Sequence, residues 1–133
     1  MPRDIRQRIG PVLIYDDAPA AIEYLTKTFG FEELAVHEAP DGSIAHAELT
    51  YLGSVIGLSD RGTGPDRSIF DLGPCCVYVT VDDADAHHDA AVAAGADVIM
   101  ELEDQDYGSR DYAVRDPEGF VWAFGTYAPG EHV

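Results

Sequence analysis

The chain has few basic residues, few cysteines and no long apolar segment. Among its 133 residues, one lysine and seven arginines stand against 25 acidic residues, which gives a formal net charge of −17. Each contact with a phosphate needs a cation, so this balance argues against binding to nucleic acid or to an anionic membrane surface. It favours a cationic partner, although a proteome that is acidic throughout would produce the same composition.

The two cysteines, Cys75 and Cys76, are adjacent. A disulfide between neighbours closes no useful loop, so a secreted disulfide framework is excluded. No apolar leader is visible, and the longest apolar runs, about five to seven residues, are too short to span a bilayer. We therefore expect a cytoplasmic protein. With 46% hydrophobic residues, the chain can fill one core without disulfides or a structural metal.

An internal repeat, offset by half the length of the chain, organises the sequence. The segment Asp16–Ala20 recurs as Asp82–Ala86, and each copy follows a short run of β-branched and aromatic residues that is typical of a strand. The second aspartate of each copy is a natural helix N-cap, and a glycine, Gly30 or Gly95, ends each predicted helix.

Three further strand-like runs follow each helix, separated by turn residues. The predicted strands are Pro11–Tyr15, Glu33–Glu38, Ile44–Tyr51 and Ser54–Ser59 in the first copy, and Val77–Val81, Asp97–Leu102, Arg110–Arg115 and Phe120–Thr126 in the second. The fold class is therefore predicted to be α+β. It consists of two βαβββ modules, residues 9–59 and 75–127, joined by a linker at 60–74 within one domain. Two such modules side by side can curve their mixed sheets into a concave ligand cavity, with the helices outside.

A motif in the second module resembles a known family. The stretch from Tyr107 to Gly119 reads Tyr-Gly-Ser-Arg-Asp-Tyr-Ala-Val-Arg-Asp-Pro-Glu-Gly, and Phe124-Gly125 follows it. It is similar to the Trp-Gly-x-Arg-Glu-Phe-x-Leu-x-Asp-Pro-x-Gly stretch of bleomycin resistance proteins. Together with the repeat, the chain from about Ile9 to Tyr127 resembles the vicinal oxygen chelate superfamily, which contains glyoxalase I and extradiol dioxygenases. The resemblance implies a small-molecule ligand and a homodimer with cavities at its interface.

In the enzymes of that superfamily, the resemblance implies a divalent metal held by two side chains from each module. The corresponding positions here read Gly10, Glu48, Cys76 and Ala123. Only Glu48, in its Ala-Glu-Leu-Thr context, matches a ligand, and a thiol replaces another. Zinc normally has three or four protein ligands, and harder divalent metals take several oxygens. We therefore expect no metal cofactor, as in the branch of the superfamily that sequesters drugs and catalyses nothing.

Strand alternation predicts which other residues share the face of these four positions. The predicted cavity face also has Val12, Ile14, His46, Thr50, Tyr78, Thr80 and Val121. The predicted helix face has Leu13, Tyr15, Val77, Val79, Trp122 and Phe124. Trp122, the only tryptophan, is therefore expected in the core rather than in the ligand site.

Glu48 and His46 are the candidate catalytic residues. Glu48 is interpreted either as a carboxylate that receives a cationic group, or as a general base that shares a proton with His46. The alternatives are a relict ligand position hydrogen-bonded to its neighbours, and a histidine at the solvent rim of a hairpin. Cys76 is expected to be a small buried residue rather than a reactive thiol.

Tyr107 is the candidate aromatic contact, because the resemblance implies that this position stacks on a planar part of the drug. The acidic residues Glu101, Glu103, Asp104 and Asp106 precede it. An aromatic ring among carboxylates suits a planar cation. The alternative is an exposed acidic loop whose one aromatic residue packs on the sheet. Arg110 is expected to pair with a local carboxylate.

The predicted function is metal-free binding of a small aromatic, cationic molecule, of the bleomycin-resistance type and without catalysis. The predicted ligand-binding residues are Glu48, His46, Tyr78, Tyr107, Val121 and Ala123. Two alternatives stay open at this point. One is a metal-dependent lyase, isomerase or dioxygenase with an atypical site around Glu48, and the other is metal-free acid–base catalysis by Glu48 and His46.

Overall fold

The computed structural model describes residues 7–62 and 72–130, and the chain divides into two compact units, residues 1–73 and 74–133. Each unit contains four strands and one helix among its described residues. The first unit contains β1 (Val12–Tyr15), α1 (Ala18–Phe29), β2 (Glu32–Glu38), β3 (Ile44–Tyr51) and β4 (Ser54–Asp60), and the second contains β5 (Cys76–Thr80), α2 (Ala84–Ala93), β6 (Asp97–Asp104), β7 (Arg110–Arg115) and β8 (Val121–Gly125).

Each unit folds into one four-stranded mixed sheet with the same strand order. The order is β1-β4-β3-β2 in the first unit and β5-β8-β7-β6 in the second. The first strand of each unit is parallel to the last, and the other pairs are antiparallel. The predicted α+β fold of two βαβββ modules is thereby confirmed. The bounds of β3 and β7 match the prediction, and those of the other strands differ by at most two residues.

The register of the parallel pairs follows the offset of the sequence repeat. Val12 lies opposite Gly57, and their counterparts Tyr78 and Ala123 lie opposite each other in the second unit. The third strand of each module departs from this offset by a single position. Ala47 lies opposite Leu58, whereas the residue opposite Phe124, the counterpart of Leu58, is Tyr112. The structural counterpart of Ala47 is therefore Tyr112, while the sequence repeat would assign Ala113.

Both helices begin at the predicted aspartates. The Asp17 carboxylate accepts a hydrogen bond from the backbone N–H of Ala20 at 3.1 Å, and Asp83 repeats this contact at the start of α2. Gly30 ends α1 in the left-handed conformation, with φ of 86°. The second helix ends at Ala93, and Gly95 adopts a left-handed φ of 93° just beyond it. Neither helix in residues 7–62 and 72–130 is long and apolar enough to cross a membrane.

The core of the second unit is aromatic. Trp122, Tyr112 and Phe124 are fully buried, and the rings of Tyr112 and Phe124 stack with centroids 5.3 Å apart. The ring of His87 from α2 lies 4.4 Å from that of Phe124, so this face of the sheet packs against the helix. The expectation that Trp122 belongs to the core is confirmed. Of the other residues expected on the helix face, Leu13 and Tyr15 are buried, and Val77 and Val79 are half-buried.

The last strand of the first unit extends to Asp60, the first residue of the predicted linker. The Asp60 carboxylate accepts hydrogen bonds from the backbone N–H groups of Ala18 and Ile44, both at 2.7 Å. It therefore ties the start of α1 to the start of β3. Thr126 stands at the corresponding position of the repeat in the second unit. Its hydroxyl oxygen accepts a hydrogen bond from the backbone N–H of Arg110 at 3.1 Å. Of the remaining linker, residues 63–71 lie outside the described residues.

Candidate functional site

The first unit contains a cavity of about 510 Å³ beside β1, β3 and β4. Val12, His46, Glu48 and Gly57 belong to its wall, together with residues 7–11. The structure therefore brings together four of the residues expected on one face, namely Gly10, Val12, His46 and Glu48. Two others from that prediction, Ile14 and Thr50, do not line this cavity.

His46 and Glu48 form a contacting pair on β3. The His46 Nε2 atom lies 3.2 Å from Oε2 of Glu48, and the two side chains are 44% and 40% exposed. The His37 ring on β2 stacks beside the His46 ring, with centroids 6.1 Å apart. A Cβ on Gly57 would lie 3.6 Å from the Cε1 atom of His46, so the glycine leaves the space beside the ring open. A histidine and a carboxylate at this separation can share a proton.

The donor set does not fit the metal site that the resemblance implies for the superfamily's enzymes. Gly10 has no side chain, and Ala123 offers no donor atom. In the observed strand register, Gly57 is the first-unit counterpart of Ala123, and Ala113 is the second-unit counterpart of Glu48. Neither of these two counterparts has a side chain that could bind a metal. Within each unit, the described residues contain no cluster of three or more His, Cys, Asp or Glu side chains that could hold a metal ion.

Cys76 is exposed at the start of β5, so the expectation that it is buried was wrong. The physical reason is its position, because it is the first residue of an edge strand. The neighbouring Cys75 is also an exposed free thiol. Desolvation raises its pKa, and the charges of Cys76 and Asp116 raise it further. Cys75 therefore stays protonated at neutral pH, which does not favour a role as a nucleophile.

The second unit contains a cavity of about 600 Å³, and three of the four described residues that line it are tyrosines. Tyr78, Tyr107, Tyr127 and Pro129 line it. Two of the predicted ligand residues, Tyr78 and Tyr107, are thus brought together. The other two predictions from this unit, Val121 and Ala123, are half-buried on β8 and line neither cavity. We refer to this space as the tyrosine cavity.

Two rings of the tyrosine cavity meet at a right angle. The centroids of Tyr107 and Tyr127 are 5.4 Å apart, with an angle of 81° between the ring planes. The hydroxyls of Tyr78 and Thr80 on β5 both donate to the backbone carbonyl of Tyr127 at 2.8 Å. The segment after β8 is therefore held against β5. Sequence reasoning missed Tyr127 because it follows the last strand, where no periodic pattern marks a side chain's direction.

One buried carboxylate lies behind these rings. Asp111 on β7 is only 7% exposed. The Tyr107 hydroxyl donates to its Oδ2 atom at 3.1 Å, and the Ser109 hydroxyl donates to Oδ1. The Ser109 oxygen in turn accepts from the backbone N–H of Tyr127 at 3.0 Å. Asp111 thus contacts the Tyr107 hydroxyl directly and connects through Ser109 to the backbone of Tyr127. The sequence signal for it is the family motif, in which Asp111 stands at the position of the glutamate that follows the arginine.

The same contacts affect the ionisation of the tyrosines. The hydrogen bond to Asp111 raises the pKa of Tyr107, and desolvation raises it further. Burial raises the pKa of Tyr78, and the charge of Asp111 adds to that effect. Both phenols therefore stay neutral at physiological pH. The negative charge of the site resides on the carboxylate.

The acidic residues before Tyr107 are partly engaged elsewhere. Arg110 pairs with Asp104 at 3.1 Å and with Asp85 at 3.2 Å, which confirms that it binds local carboxylates. Glu101 lies 3.2 Å from the His88 ring. The carboxylate in contact with Tyr107 is that of Asp111, which does not belong to the acidic run.

Comparison with known proteins agrees with this architecture. The family model of the Glyoxalase/Bleomycin resistance protein/Dioxygenase superfamily matches residues 8–124. An uncharacterized protein of Mycobacterium bovis is 36% identical over 128 residues, which cover 92% of this chain and 84% of that protein. Among solved structures, TioX from Micromonospora sp. ML1 has 33% identity and a TM-score of 0.76, covering 91% of this chain and all of that one.

A member of the same superfamily from Sphaerobacter thermophilus has a TM-score of 0.73 at 17% identity, covering 91% of this chain and 97% of that one. At that identity, the likeness concerns the fold alone. The family model, the Mycobacterium relative and TioX each match most of the chain. The chain therefore belongs to the Glyoxalase/Bleomycin resistance protein/Dioxygenase superfamily.

Proposed function

We propose that the protein binds a small aromatic molecule with a positive charge, without a metal and without converting it. The observation that carries this proposal is the tyrosine cavity, in which Tyr78, Tyr107 and Tyr127 surround a space backed by the buried carboxylate of Asp111. Its volume of about 600 Å³ lies within the range of small-molecule sites.

The chemistry of the wall favours such a ligand. Aromatic pairs contribute about 0.5–1.5 kcal/mol beyond the burial of their area. A cation over a tyrosine face gains a further attraction that grows as water is excluded. The net charge of −17 raises the local concentration of cations around the protein. A planar cation therefore gains from stacking on a tyrosine ring, from the charge of Asp111 and from the protein's overall charge.

Calorimetry at low salt with bleomycin and with a planar cationic dye such as proflavine tests this function. Because Tyr107 is 62% exposed, Tyr107→Leu should fold normally. We expect it to weaken binding about tenfold, which is about 1.4 kcal/mol. The matched control is Tyr51→Leu in the first unit, which should leave affinity unchanged. Absence of binding to every compound, or equal binding by Tyr107→Leu, would overturn the proposal.

The contribution of the four acidic residues before Tyr107 to ligand binding is tested separately. Replacing Glu101, Glu103, Asp104 and Asp106 by the corresponding amides removes four negative charges near Tyr107. We expect weaker capture of a cationic ligand at low salt and little effect at high salt, because exposed charges are screened. Unchanged affinity at low salt would show that the acidity of this run does not serve ligand binding.

The His46–Glu48 pair supports a second candidate function, which is metal-free acid–base catalysis on a small carbonyl substrate. The supporting observation is their 3.2 Å contact beside a cavity of about 510 Å³. A general base has to lie within hydrogen-bond reach of the proton it takes, and half-exposed Glu48 is accessible to a ligand in that cavity. Glu48→Gln should then bind substrate normally and lose turnover. Unchanged turnover would exclude this candidate.

We also propose that the protein is a homodimer, as the family resemblance implies, and that it is cytoplasmic, as its cysteine usage indicates. Light scattering coupled to size exclusion measures the assembly directly. A mass twice the 14.4 kDa of one chain would support the dimer. A mass of one chain at micromolar concentration would contradict it.

A further inference from the structure

We propose that the tyrosine cavity is a cage for a compact, methylated ammonium group, and that Asp111 positions and charges this cage. The inference rests on the proposed function and specifies which part of the ligand the cavity recognises. It concerns Tyr78, Tyr107, Tyr127 and Asp111, all of which belong to the second unit.

The angle between the rings selects the shape of the charged group. Tyr107 and Tyr127 are in edge-to-face contact, with an interplanar angle of 81°. A flat molecule can stack on only one of two perpendicular rings. A rounded group such as trimethylammonium can contact a face of both rings from the corner between them. Aromatic faces attract quaternary ammonium groups through the ring quadrupole.

Asp111 strengthens the attraction in two ways. Its carboxylate is buried behind the rings, where its field is screened less than that of an exposed acid. Its Oδ2 atom also accepts a hydrogen bond from the Tyr107 hydroxyl at 3.1 Å. This hydrogen bond shifts electron density from the phenol oxygen into the ring and so makes the ring face more attractive to a cation. Asp111 therefore affects a cation without having to touch it.

The cage is held in place before a ligand arrives. The backbone N–H of Tyr127 donates to Ser109, and its carbonyl accepts from Tyr78 and Thr80. The Tyr107 ring is anchored at its hydroxyl by Asp111. A cavity whose rings are already oriented loses less conformational entropy on binding.

The wall favours methylated over primary ammonium groups. A primary ammonium brings three N–H donors that need acceptors when it leaves water. The described residues of the lining present mainly aromatic carbon and a prolyl ring, and the acceptors that their side chains offer are phenol oxygens. A trimethylammonium group needs no such acceptors, so desolvating it in this cavity costs less.

The test uses the full chain with carbon-13-labelled tyrosine rings and follows ring resonances by NMR during titration. The probes are choline, its neutral isostere 3,3-dimethyl-1-butanol, and ethanolamine. We expect choline to shift the Tyr107 and Tyr127 rings and to bind about tenfold more tightly than either other probe. Tyr107→Leu should abolish this preference, whereas Tyr51→Leu should preserve it.

The role of Asp111 is tested by the preference for choline over its neutral isostere, and not by the affinity for choline alone. Asp111→Asn keeps the shape of the side chain and removes the charge. We expect it to weaken choline binding about tenfold while leaving the neutral isostere unchanged. A purely structural role would weaken both probes equally. If Asp111→Asn unfolds, Tyr107→Phe keeps the ring and Asp111, and its choline affinity should fall by about threefold as the hydrogen bond is lost.

Equal binding of choline and its neutral isostere, or no shift of either ring with choline, overturns the cage. Failure of the cage can be distinguished from failure of the proposed function. If proflavine binds through Tyr107 and choline does not, the cage is wrong and the proposed function stands. If choline binds selectively and no aromatic compound does, the cage stands and the proposed ligand class is wrong.

Discussion

The carboxylate of Asp111 occupies the space that a side chain at Gly125 would fill. These two residues lie opposite each other on β7 and β8. A Cβ on Gly125 would overlap the Asp111 Oδ1 atom and would lie 2.6 Å from the Tyr78 hydroxyl oxygen. The absence of a side chain at Gly125 is thus what allows the tyrosine cavity to have a buried carboxylate behind it.

Gly125→Ala should therefore destabilise the second unit. Overpacking of a filled site typically costs about 1–3 kcal/mol, and here Asp111 and Tyr78 would both have to move. Denaturant unfolding followed by the fluorescence of Trp122 measures the change. Gly73→Ala is the matched control, because a Cβ there has nothing within 4 Å. Equal stability of the two variants would show that the carboxylate moves aside without cost.

Asp116 should be the most sensitive polar residue of the turn before β8. It is 4% exposed and accepts hydrogen bonds, each 3.0 Å long, from the N–H groups of Glu118, Phe120 and the Trp122 indole. Asp116→Ala leaves buried donors unpaired, at about 1–3 kcal/mol each. The free energy of unfolding should fall by about 3 kcal/mol.

The control for this change is an aspartate that caps an exposed turn. Asp41 accepts from the N–H and hydroxyl of Ser43 in the hairpin between β2 and β3. Asp41→Ala should cost less than about 1 kcal/mol, because water replaces the lost contacts. A comparable loss in the two variants would contradict the importance of burial at Asp116.

Substitutions at Asp60 and Thr126 should lower the free energy of unfolding by different amounts. Asp60→Ala removes the acceptor of two backbone N–H groups, whereas Thr126→Val removes the acceptor of one. At about 1 kcal/mol for each hydrogen bond, we expect losses of about 2 and 1 kcal/mol. Asp60→Asn keeps one acceptor oxygen and should lose about 1 kcal/mol, as Thr126→Val does. Chemical denaturation of the three variants checks the order.

Tyr107 should ionise above the ordinary tyrosine value of about 10 because its hydroxyl donates to Asp111. A raised pKa in the folded state means that the native protein keeps a proton that the unfolded chain has released. The stability from this contact is therefore fully present below pH about 10 and is lost as the pH rises through the folded pKa.

Ultraviolet absorbance of tyrosinate during alkaline titration checks this expectation. One high-pH ionisation should disappear in Tyr107→Phe. In Asp111→Asn it should move to lower pH, because the acceptor no longer has a negative charge. An unaltered titration curve in Asp111→Asn would show that the carboxylate does not hold the Tyr107 proton.

Metal content should be well below one ion per chain in protein purified without a chelator. The positions that the resemblance assigns to ligands include Gly10 and Ala123, which supply no donor. Adding zinc, nickel or manganese should leave the thermal midpoint unchanged, because a ligand that binds only the folded state would raise it. Stoichiometric metal would contradict the reading of these positions.

Local signals in the sequence were sufficient for the modules. Asp17 and Asp83 each accept the N-cap hydrogen bond, and Gly30 adopts the left-handed conformation that ends α1. These features depend on neighbours within a few residues, so they can be predicted from short stretches of the sequence. The aromatic residues Tyr78 and Tyr107 were also identified, from strand alternation and from the motif.

The rest of the site depends on contacts between distant residues. Ser109 reaches the backbone of Tyr127 across 18 positions, and the Tyr78 hydroxyl reaches the same residue across 49. Neither contact has a local pattern. The exposure of Cys76 was missed for a related reason, because the position of β5 at the edge of its sheet depends on the pairing of strands that are distant in the sequence.

The sequence alone determined the two βαβββ modules, because caps, turns and strand periodicity recur at a fixed offset in the two halves of the chain. It did not determine which side chain of β7 lies behind the tyrosine cavity. By that offset, the counterpart of His46 is Tyr112, but the observed register makes it Asp111. Side chains alternate between the two faces of a strand, so a shift by a single position exchanges a core aromatic for a carboxylate. Only the tertiary pairing of β7 with β8 decided that the tyrosine cavity has a negative charge behind it.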